Sequence, residues 1–154
     1  MIPSVIPAVT DALVGLSEAA VEPLGFVVFD GVGLGEDPSD FVVVGIPDPT
    51  SSNLSTAATV EQDWATLGDL SRDESGSLDC IAYAVDGDSD QKAARDRVFA
   101  AVAAIGAAVL SDLTLGGVPG LLWSGVRITH YDQAQSDFGA EAQISFQLGF
   151  RARI

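Results

Sequence analysis

The sequence predicts an α+β fold in which two helices pack on an antiparallel or mixed β-sheet. Two segments carry apolar residues at helical spacing, and about six others show the β-branched, aromatic or alternating patterns of strands. The predicted order along the chain is α-β-β-β-β-α-β-β. Because no linker composition or internal repeat interrupts this order, we expect one domain that spans residues 1–154.

The first helix is predicted from four apolar residues that recur at helical spacing: Val5, Val9, Leu13 and Leu16. Ser4 is the expected N-cap, and Pro7 falls in the first turn, where proline is tolerated. Pro23 and Gly25 are expected to end this helix.

Two short apolar runs, residues 26–29 and 41–44, predict the first two strands. The glycine-rich and acidic residues 31–40 between them are expected to form a loop, and residues 47–55 an irregular segment. Alternation over 57–64 predicts a third strand.

A fourth strand is predicted over 78–85. The polar segment Leu67 to Gly76 before it is expected to be a loop or a flexible hairpin tip.

The second helix is predicted from one apolar stripe: Ala94, Val98, Ala101, Val102, Ile105, Ala108 and Val109. Asp88 and Gln91 resemble a capping box at its start. Four charged residues near its first turns are expected to face solvent: Lys92, Arg95, Asp96 and Arg97. Basic groups oppose the helix dipole there, so an acidic neighbour is one candidate for what holds them.

The last two strands are predicted from alternation. Residues 122–131 place Val126, Ile128 and His130 on one side, and residues 141–154 alternate strictly between polar and apolar side chains. Alternation of this length is typical of a half-buried antiparallel strand with one polar face. We expect these two strands to pair with each other.

The charge balance excludes one class of function. The chain has 22 acidic and 7 basic residues, a net charge of −15, and no Lys or Arg before Arg72. Nucleic-acid binding through phosphate neutralisation needs clustered basic residues, which this chain lacks. The acidity itself leaves two interpretations open: it keeps the protein soluble, which composition alone favours, or it lets DNA slide past without adhesion.

A single cysteine, Cys80, rules out an internal disulfide and a zinc cluster, and its place in an alternating run predicts a buried thiol. The N-terminus has no basic region typical of a signal peptide, and the apolar segment 98–110 is too short for a bilayer. We therefore expect a soluble protein made in a reducing compartment.

The motifs that suggest chemistry fit structural roles better. Gly31 to Gly35 is followed by carboxylates that would repel a phosphate, so we expect a hairpin loop. Asp86 to Asp90 alternates acids as calcium loops do, but Gln91 and Arg97 stand where glycine and glutamate are required, which favours a turn and a helix cap.

No catalytic residue, cofactor site or metal site is predicted, and we expect no enzyme. His130 and Tyr131 are adjacent on a strand, so they point to opposite faces and cannot serve one site. Cys80 lies mid-strand, away from any nucleophile context. Trp64 and Trp123 could stack on a ligand, but such residues belong more often to a core or an interface.

Several features together resemble the tail-terminator family of long-tailed bacteriophages, the rings that stop tail-tube growth and join the tail to the head. They are the helix near 3–21 ahead of two strands, the polar stretch 67–76, the helix segment 93–97 ending at 112–117, and the closing strand pair 124–129 and 139–153. The resemblance covers nearly the whole chain as a pattern of element order and length, and no invariant motif carries it.

The resemblance implies a homohexameric ring in the virion, at the head-proximal end of the tail, assembled in the host cytoplasm. One face of the ring would bind the tail tube protein, and the other a head-completion (stopper) protein. DNA would pass through an acidic lumen without specific binding, and no membrane is involved. The family has no catalytic residues to carry over.

On this basis, two loops supply the acids expected to face the lumen or a neighbouring subunit: Glu36, Asp37, Asp40, Asp69, Asp73 and Glu74. The basic residues are candidates for pairing with an acidic neighbour subunit, although each is as well explained as a solvated charge: Arg72, Lys92, Arg95, Arg97, Arg127, Arg151 and Arg153. The ring must also bury apolar area, through loop residues such as Leu67 and Leu70 or through pairing at a sheet edge.

Two alternatives stay open. A different head-tail connector, a stopper or a tail-tube protein would share this size and strand pattern, and a tube subunit would polymerise where a terminator stops at a ring. A small ligand-binding α+β module, such as a calcium-dependent one, belongs to a different class, and calorimetry with Ca²⁺ distinguishes it from a ring subunit.

Overall fold

A computed structural model describes residues 2–31, 40–47 and 54–154. It confirms the α+β class and the predicted element order. The elements are α1 (Ile6–Val21, followed by a 3-10 turn Glu22–Leu24), β1 (Val27–Asp30), β2 (Phe41–Val44), β3 (Ala58–Trp64), β4 (Arg72–Asp86), α2 (Gln91–Ser111), β5 (Leu121–Ser136) and β6 (Gly139–Arg153).

All six strands belong to one mixed sheet in the order β1-β2-β4-β6-β5, and β3 pairs with β4 off this path. β1 and β2 are parallel, and every other pairing is antiparallel. The 15-residue strand β4 is long enough to hold two partners on one side. Its residues 72–78 pair with β3, and its residues 80–83 pair with β2.

The core lies between the helices and one face of the sheet. In β6, the apolar residues at even positions from 140 to 152 are buried, whereas the odd positions from 141 onward carry the polar side chains of the opposite face. The apolar stripe of α2 packs against β4, β5 and β6, and α1 contacts α2, β1 and β2. Strict alternation therefore gives a sheet with one face under the helices and one polar face, as predicted.

Both helix starts differ by one or two residues from the prediction. α1 begins at Ile6, with Val5 at the N-cap position, although the Ser4 hydroxyl still accepts a hydrogen bond from the Ile6 amide at 3.1 Å. α2 is capped by Asp90, whose side chain accepts from the Ala93 amide, and not by Asp88. Gln91 makes no capping box because its side-chain amide donates to the backbone of β6.

The end of α1 follows the prediction. Gly25 adopts a positive φ of 82° after the 3-10 turn, and its amide bonds back to the Glu22 carbonyl. Only glycine takes this left-handed conformation without strain, which lets the chain reverse into β1.

The prediction of a loop over residues 67–76 is wrong for the second half of this segment. β4 begins at Arg72, so only residues 65–71 connect it to β3. Polar side chains do not prevent strand formation here because 72–77 lie between β3 and β6 and pair with both. Of the other two predicted irregular segments, residues 32–39 and 48–53 lie outside the described residues.

The prediction that His130 lies on the same face of β5 as Val126 and Ile128 is wrong, because the strand contains a bulge. Ile128 lies opposite Phe146 of β6, but His130 lies opposite Ser145, so one extra residue separates them. His130 therefore shares the polar face with Arg127, and Tyr131 takes the helix-side position that alternation assigned to His130. Neither helix in the described part of the chain carries an apolar run that could span a bilayer.

Candidate assembly surfaces

The hairpin arm, defined as residues 58–77, has a strongly exposed outer strand and turn. Six of the seven residues of β3 are exposed, and Leu67 at the turn is fully exposed. Trp64 is 65% exposed even though the guanidinium of Arg72 lies over its ring, 5.8 Å from the ring centroid. Large apolar side chains in such positions are typical of a surface that another molecule covers.

A buried carboxylate joins the hairpin arm to the start of α1. Glu74 is fully buried and accepts hydrogen bonds from the Ser4 hydroxyl (3.0 Å), the Val5 amide (2.9 Å) and the side-chain amide of Gln62. The same Gln62 amide donates to the Pro3 carbonyl at 2.8 Å. Glu74 is therefore part of the chain's interior, so the expectation that it faces a lumen is wrong.

Arg72 extends this network on the same side of the sheet. Its guanidinium donates to the side-chain oxygen of Gln62 at 3.0 Å and to the Ile2 carbonyl at 3.4 Å. Arg72 was a candidate for contact with a neighbouring subunit, and the structure uses it to hold the chain's first residues against the hairpin arm.

Arg97 has its acidic neighbours within the same chain. Its guanidinium lies 2.9 Å from a carboxylate oxygen of Asp40 and 3.3 Å from one of Asp86, and it also donates to the Val85 carbonyl. The bond to Asp40 raises the pKa of Arg97, and the Asp90 amide, together with Arg97, lowers the pKa of Asp86. This triad ties the segment before β2 to α2, so Asp40 and Arg97 have structural partners within the chain.

A second ion pair stands on the polar face of the sheet. Arg153 of β6 binds the carboxylate of Asp73 on β4 with both its Nε (2.7 Å) and an Nη (2.9 Å). The two residues are directly opposite each other in the strand register. Such an exposed pair contributes about 0–1 kcal/mol, so its role is to orient both groups more than to stabilise the fold.

The remaining candidates are exposed to different degrees. Asp69 lies at the turn of the hairpin arm, where hydrogen bonds from the Ser71 side chain and amide lower its pKa. Arg151 is exposed on the polar face, Arg95 is half-buried on α2, and in the described part of the chain neither forms an ion pair. Glu36 and Asp37 lie outside the described residues.

Two opposite edges of the sheet are open. β5 forms one edge over 16 residues. On the other side, β3 and β2 follow one another along β4, and β1 lies one strand further out than β3. Among residues 2–31, 40–47 and 54–154, no strand pairs with the outer side of β3 or β5. Open edges present rows of unpaired backbone amides and carbonyls that can accept another strand.

Trp123 closes one end of the polar face. Its ring lies over two glycines, 3.6 Å from the position that a Cβ of Gly125 would take and 3.9 Å from that of Gly149. A Cβ at either position would be in ordinary van der Waals contact with the ring. Trp123 itself is 44% exposed, so it belongs to a surface and not to the core.

The acidic motif Asp86 to Asp90 has a structural role, whereas the glycine-rich motif lies outside the described residues from position 32 onward. Asp86 accepts from the amides of Asp88 and Asp90, which forms a turn, and Asp90 caps α2. No group of three His, Cys, Asp or Glu side chains comes together as metal ligands within the described ranges. Cys80 is buried, and burial raises the pKa of its thiol to about 12, which keeps it protonated.

Sequence reasoning missed the Glu74 network. It named an acidic neighbour as one candidate for what holds the basic residues at the start of α2, but it did not identify Asp40 and Asp86 as the partners of Arg97. A lone glutamate in a polar segment resembles a solvated charge, and only the pairing of β4 with β3 and β6 shows that residue 74 faces inward. One signal in the sequence could have indicated this. Residues 74 and 78 are four apart, so on an alternating strand Glu74 lies on the same face as the apolar Leu78.

No protein-family model matches the chain, and no curated protein matches it. Among solved structures, the chain is similar to a chain of the virion of a native gene transfer agent particle, with a TM-score of 0.59 and 15% sequence identity. The match covers 99% of this chain and 100% of that chain. At this identity, the match shows that the two chains share a fold from end to end.

Proposed function

We propose that this chain is a non-catalytic structural subunit of a phage-like virion and, more specifically, a tail terminator that forms a homohexameric ring. The observation that carries the proposal is the structural correspondence with a virion chain, which covers 99% of this chain and 100% of that chain. A shared fold alone does not fix function, so the surfaces of the chain must supply the rest.

Three properties of the surface support the ring. The hairpin arm exposes large apolar residues, the sheet has open edges on opposite sides, and the chain carries a net charge of −15. Six copies would bring six times that charge, −90, around a central channel. Repulsion of this kind lets a polyanion pass without adhesion.

In this proposal, Asp69 at the turn of the hairpin arm faces the DNA path. Asp40 and Asp73 pair with arginines inside the chain and Glu74 is buried, so these three contribute less free charge to a lumen. Glu36 and Asp37 remain proposed lumen residues. One end of the ring binds the last ring of the tail tube protein, and the other binds a head-completion protein.

Electron microscopy of the purified chain, combined with native mass spectrometry, tests the assembly. A terminator gives discrete rings with the mass of six subunits, whereas a tube subunit polymerises into long tubes. Immunogold labelling of intact virions should mark the head-proximal end of the tail. A chain that is monomeric in solution and absent from virions would overturn the proposal.

The acidic lumen is tested by charge reversal. Asp69→Lys should slow DNA ejection because six lysines would attract the phosphate backbone, and the effect should weaken at high salt. Glu18→Lys is the matched control, since Glu18 is exposed on α1, away from the hairpin arm. Ejection is followed in vitro by the fluorescence of a DNA dye, and equal kinetics for both variants would contradict an acidic path at Asp69.

A further inference from the structure

We propose that neighbouring subunits of the ring meet through opposite sides of their helix-covered halves, so that a basic surface beside β5 of one copy docks on an acidic surface beside β1 of the next. This inference rests on the proposed function, since it describes which surfaces meet when the ring closes. The occupant of each surface is a second copy of this chain.

The basic surface lies where α2 packs beside β5. It consists of Arg95, Phe99, Ile128 and Tyr131. Phe99 is 38% exposed with its ring centroid 5.3 Å from that of Tyr131, and Ile128 is 46% exposed. An arginine beside exposed aromatic and aliphatic side chains is typical of the centre of a protein interface.

Arg95 is the basic residue of this region whose position the chain itself does not explain. Arg97 is bound by two carboxylates of the same chain, and Lys92 pairs with Asp96 one turn along α2. Arg95 is half-buried and forms no ion pair within the described residues. A cation near a helix N-terminus opposes the helix dipole, so an acidic group of another molecule is the partner that Arg95 fits.

The acidic surface lies on the opposite side of the subunit, where α1 leads into β1. It consists of Glu22, Leu24, Val27 and Asp30, which are all exposed. The two apolar members are 43% and 51% exposed. Because no lysine or arginine occurs before Arg72, α1 and β1 contribute only negative charge to this surface.

The strand register places the two surfaces at the same level. Asp30 and Ile128 lie at opposite ends of one row across the sheet, and Val28 and Tyr131 lie at the ends of the next row on the helix side. β1 is also the outermost strand on its side. A copy added without a shift along the strands therefore brings its β5 beside β1, while β3 stays about 4.8 Å further from the neighbour.

The charged groups of the two surfaces are level as well. Glu22 closely precedes Val27, which lies at the end of the row that contains Asp132. Arg95 lies one turn of α2 before Phe99. Both charges are thus near the end of the sheet where β4 stops and α2 begins. Docking brings Arg95 toward Glu22 of the next copy and covers the apolar residues of both surfaces.

Charge favours this head-to-tail contact over a two-fold one. Two basic surfaces placed against each other would bring Arg95 beside its own copy, and two acidic surfaces would repel in the same way. Contact between unlike surfaces joins opposite charges at every interface, and it generates a ring when the rotation between copies closes.

The decisive experiment uses two variants of opposite charge, Arg95→Glu and Glu22→Arg. Both changes suit the helix dipoles, since an acid is favourable near the start of α2 and a base at the end of α1, so circular dichroism should show folded subunits. Each variant alone should raise the subunit concentration needed for half-assembly by about tenfold or more. An equal mixture should restore rings that contain both chains in equal numbers by native mass spectrometry, because every interface then joins opposite charges.

Two controls match these changes. Arg151→Glu reverses an exposed charge on the polar face of the sheet and should leave assembly within about twofold of the unmodified chain. Ile128→Ser should weaken assembly, whereas Leu54→Ser, at a fully exposed leucine outside both surfaces, should not.

The outcomes separate this inference from the proposed function. Rings of Arg95→Glu at an unchanged concentration, or an equal mixture that assembles no better than either variant alone, would overturn the docking and leave the ring subunit intact. Absence of rings from both the purified unmodified chain and virions would overturn the proposed function and this inference with it.

Discussion

The two halves of β4 lie in different surroundings. Residues 78–86 run between β2 and β6 beneath α2, and nearly every helix-side residue there is fully buried. Residues 72–77 belong to the hairpin arm, whose outer strand β3 is almost entirely exposed. One strand thus carries both the core and a surface suited to assembly. We infer that the covered half determines stability and that the arm is available for contacts with other molecules.

The largest loss of stability is expected from a cavity beside the covered half, at Phe146 of β6, which lies opposite Cys80 in the strand register. Phe146→Ala removes one of the largest fully buried side chains and should lower the free energy of unfolding by about 3–5 kcal/mol. Trp64→Ala in the hairpin arm removes a larger but exposed side chain and should cost less than about 1 kcal/mol. Urea denaturation of both variants measures the difference, and similar losses would contradict the division.

The junction between the two halves should give the next largest effect. Glu74→Ala leaves the Val5 amide and the Ser4 hydroxyl without their buried acceptor, and each such loss costs about 1–3 kcal/mol. We expect a total of about 2–4 kcal/mol by urea denaturation. Glu61→Ala, on the neighbouring exposed strand, should change stability by less than about 0.5 kcal/mol. If Glu74→Ala left the free energy of unfolding unchanged, the hairpin arm would not anchor α1.

The covered half should also be sensitive to alkaline pH through Cys80. Its folded pKa is about 12, above the ordinary value of 9.0, so the folded state holds the thiol proton more tightly than the unfolded state does. The stabilisation is complete below pH 9.0 and is lost as the pH rises toward 12. Relative to Cys80→Ala, the chain should lose about 1 kcal/mol by roughly pH 10. Parallel curves for the two proteins would mean that the thiol is not buried.

The smallest effect on stability is expected at the tip of the arm. Replacing Leu67 and Leu70 together with serine should leave the free energy of unfolding within about 0.5 kcal/mol, because both side chains are exposed. Ring assembly should nevertheless weaken if these leucines contact a neighbour. Leu110→Ser is the matched control, because Leu110 is an exposed leucine on α2. Light scattering as a function of protein concentration measures ring assembly.

Periodic patterns predicted the architecture well. The strict alternation of β6 and the stripe of α2 each identified their buried residues because one face of each element packs against the same core. The exact starts of the helices depended on single hydrogen bonds, which the spacing of apolar residues does not show. Asp88 and Asp90 are both suitable caps by residue type, and only the bond to Ala93 distinguishes them.

The candidate surface was less predictable because charge alone does not indicate burial. Asp40, Asp73 and Glu74 are all carboxylates in polar segments, yet one pairs with Arg97, one with Arg153, and one is enclosed by α1 and β3. These partners lie 57, 80 and 69–70 residues away along the chain. Contacts at that distance follow from sheet topology, which local sequence does not encode.

The bulge at residue 129 has a consequence for the comparison of distant relatives. Any homologue that lacks the inserted residue must be aligned with a gap between Ile128 and His130. Without that gap, every position from His130 to Ser136 would be matched to a residue of opposite orientation, and conserved inward-facing positions would look variable. Homology searches with this chain should therefore treat β5 as two separately registered segments.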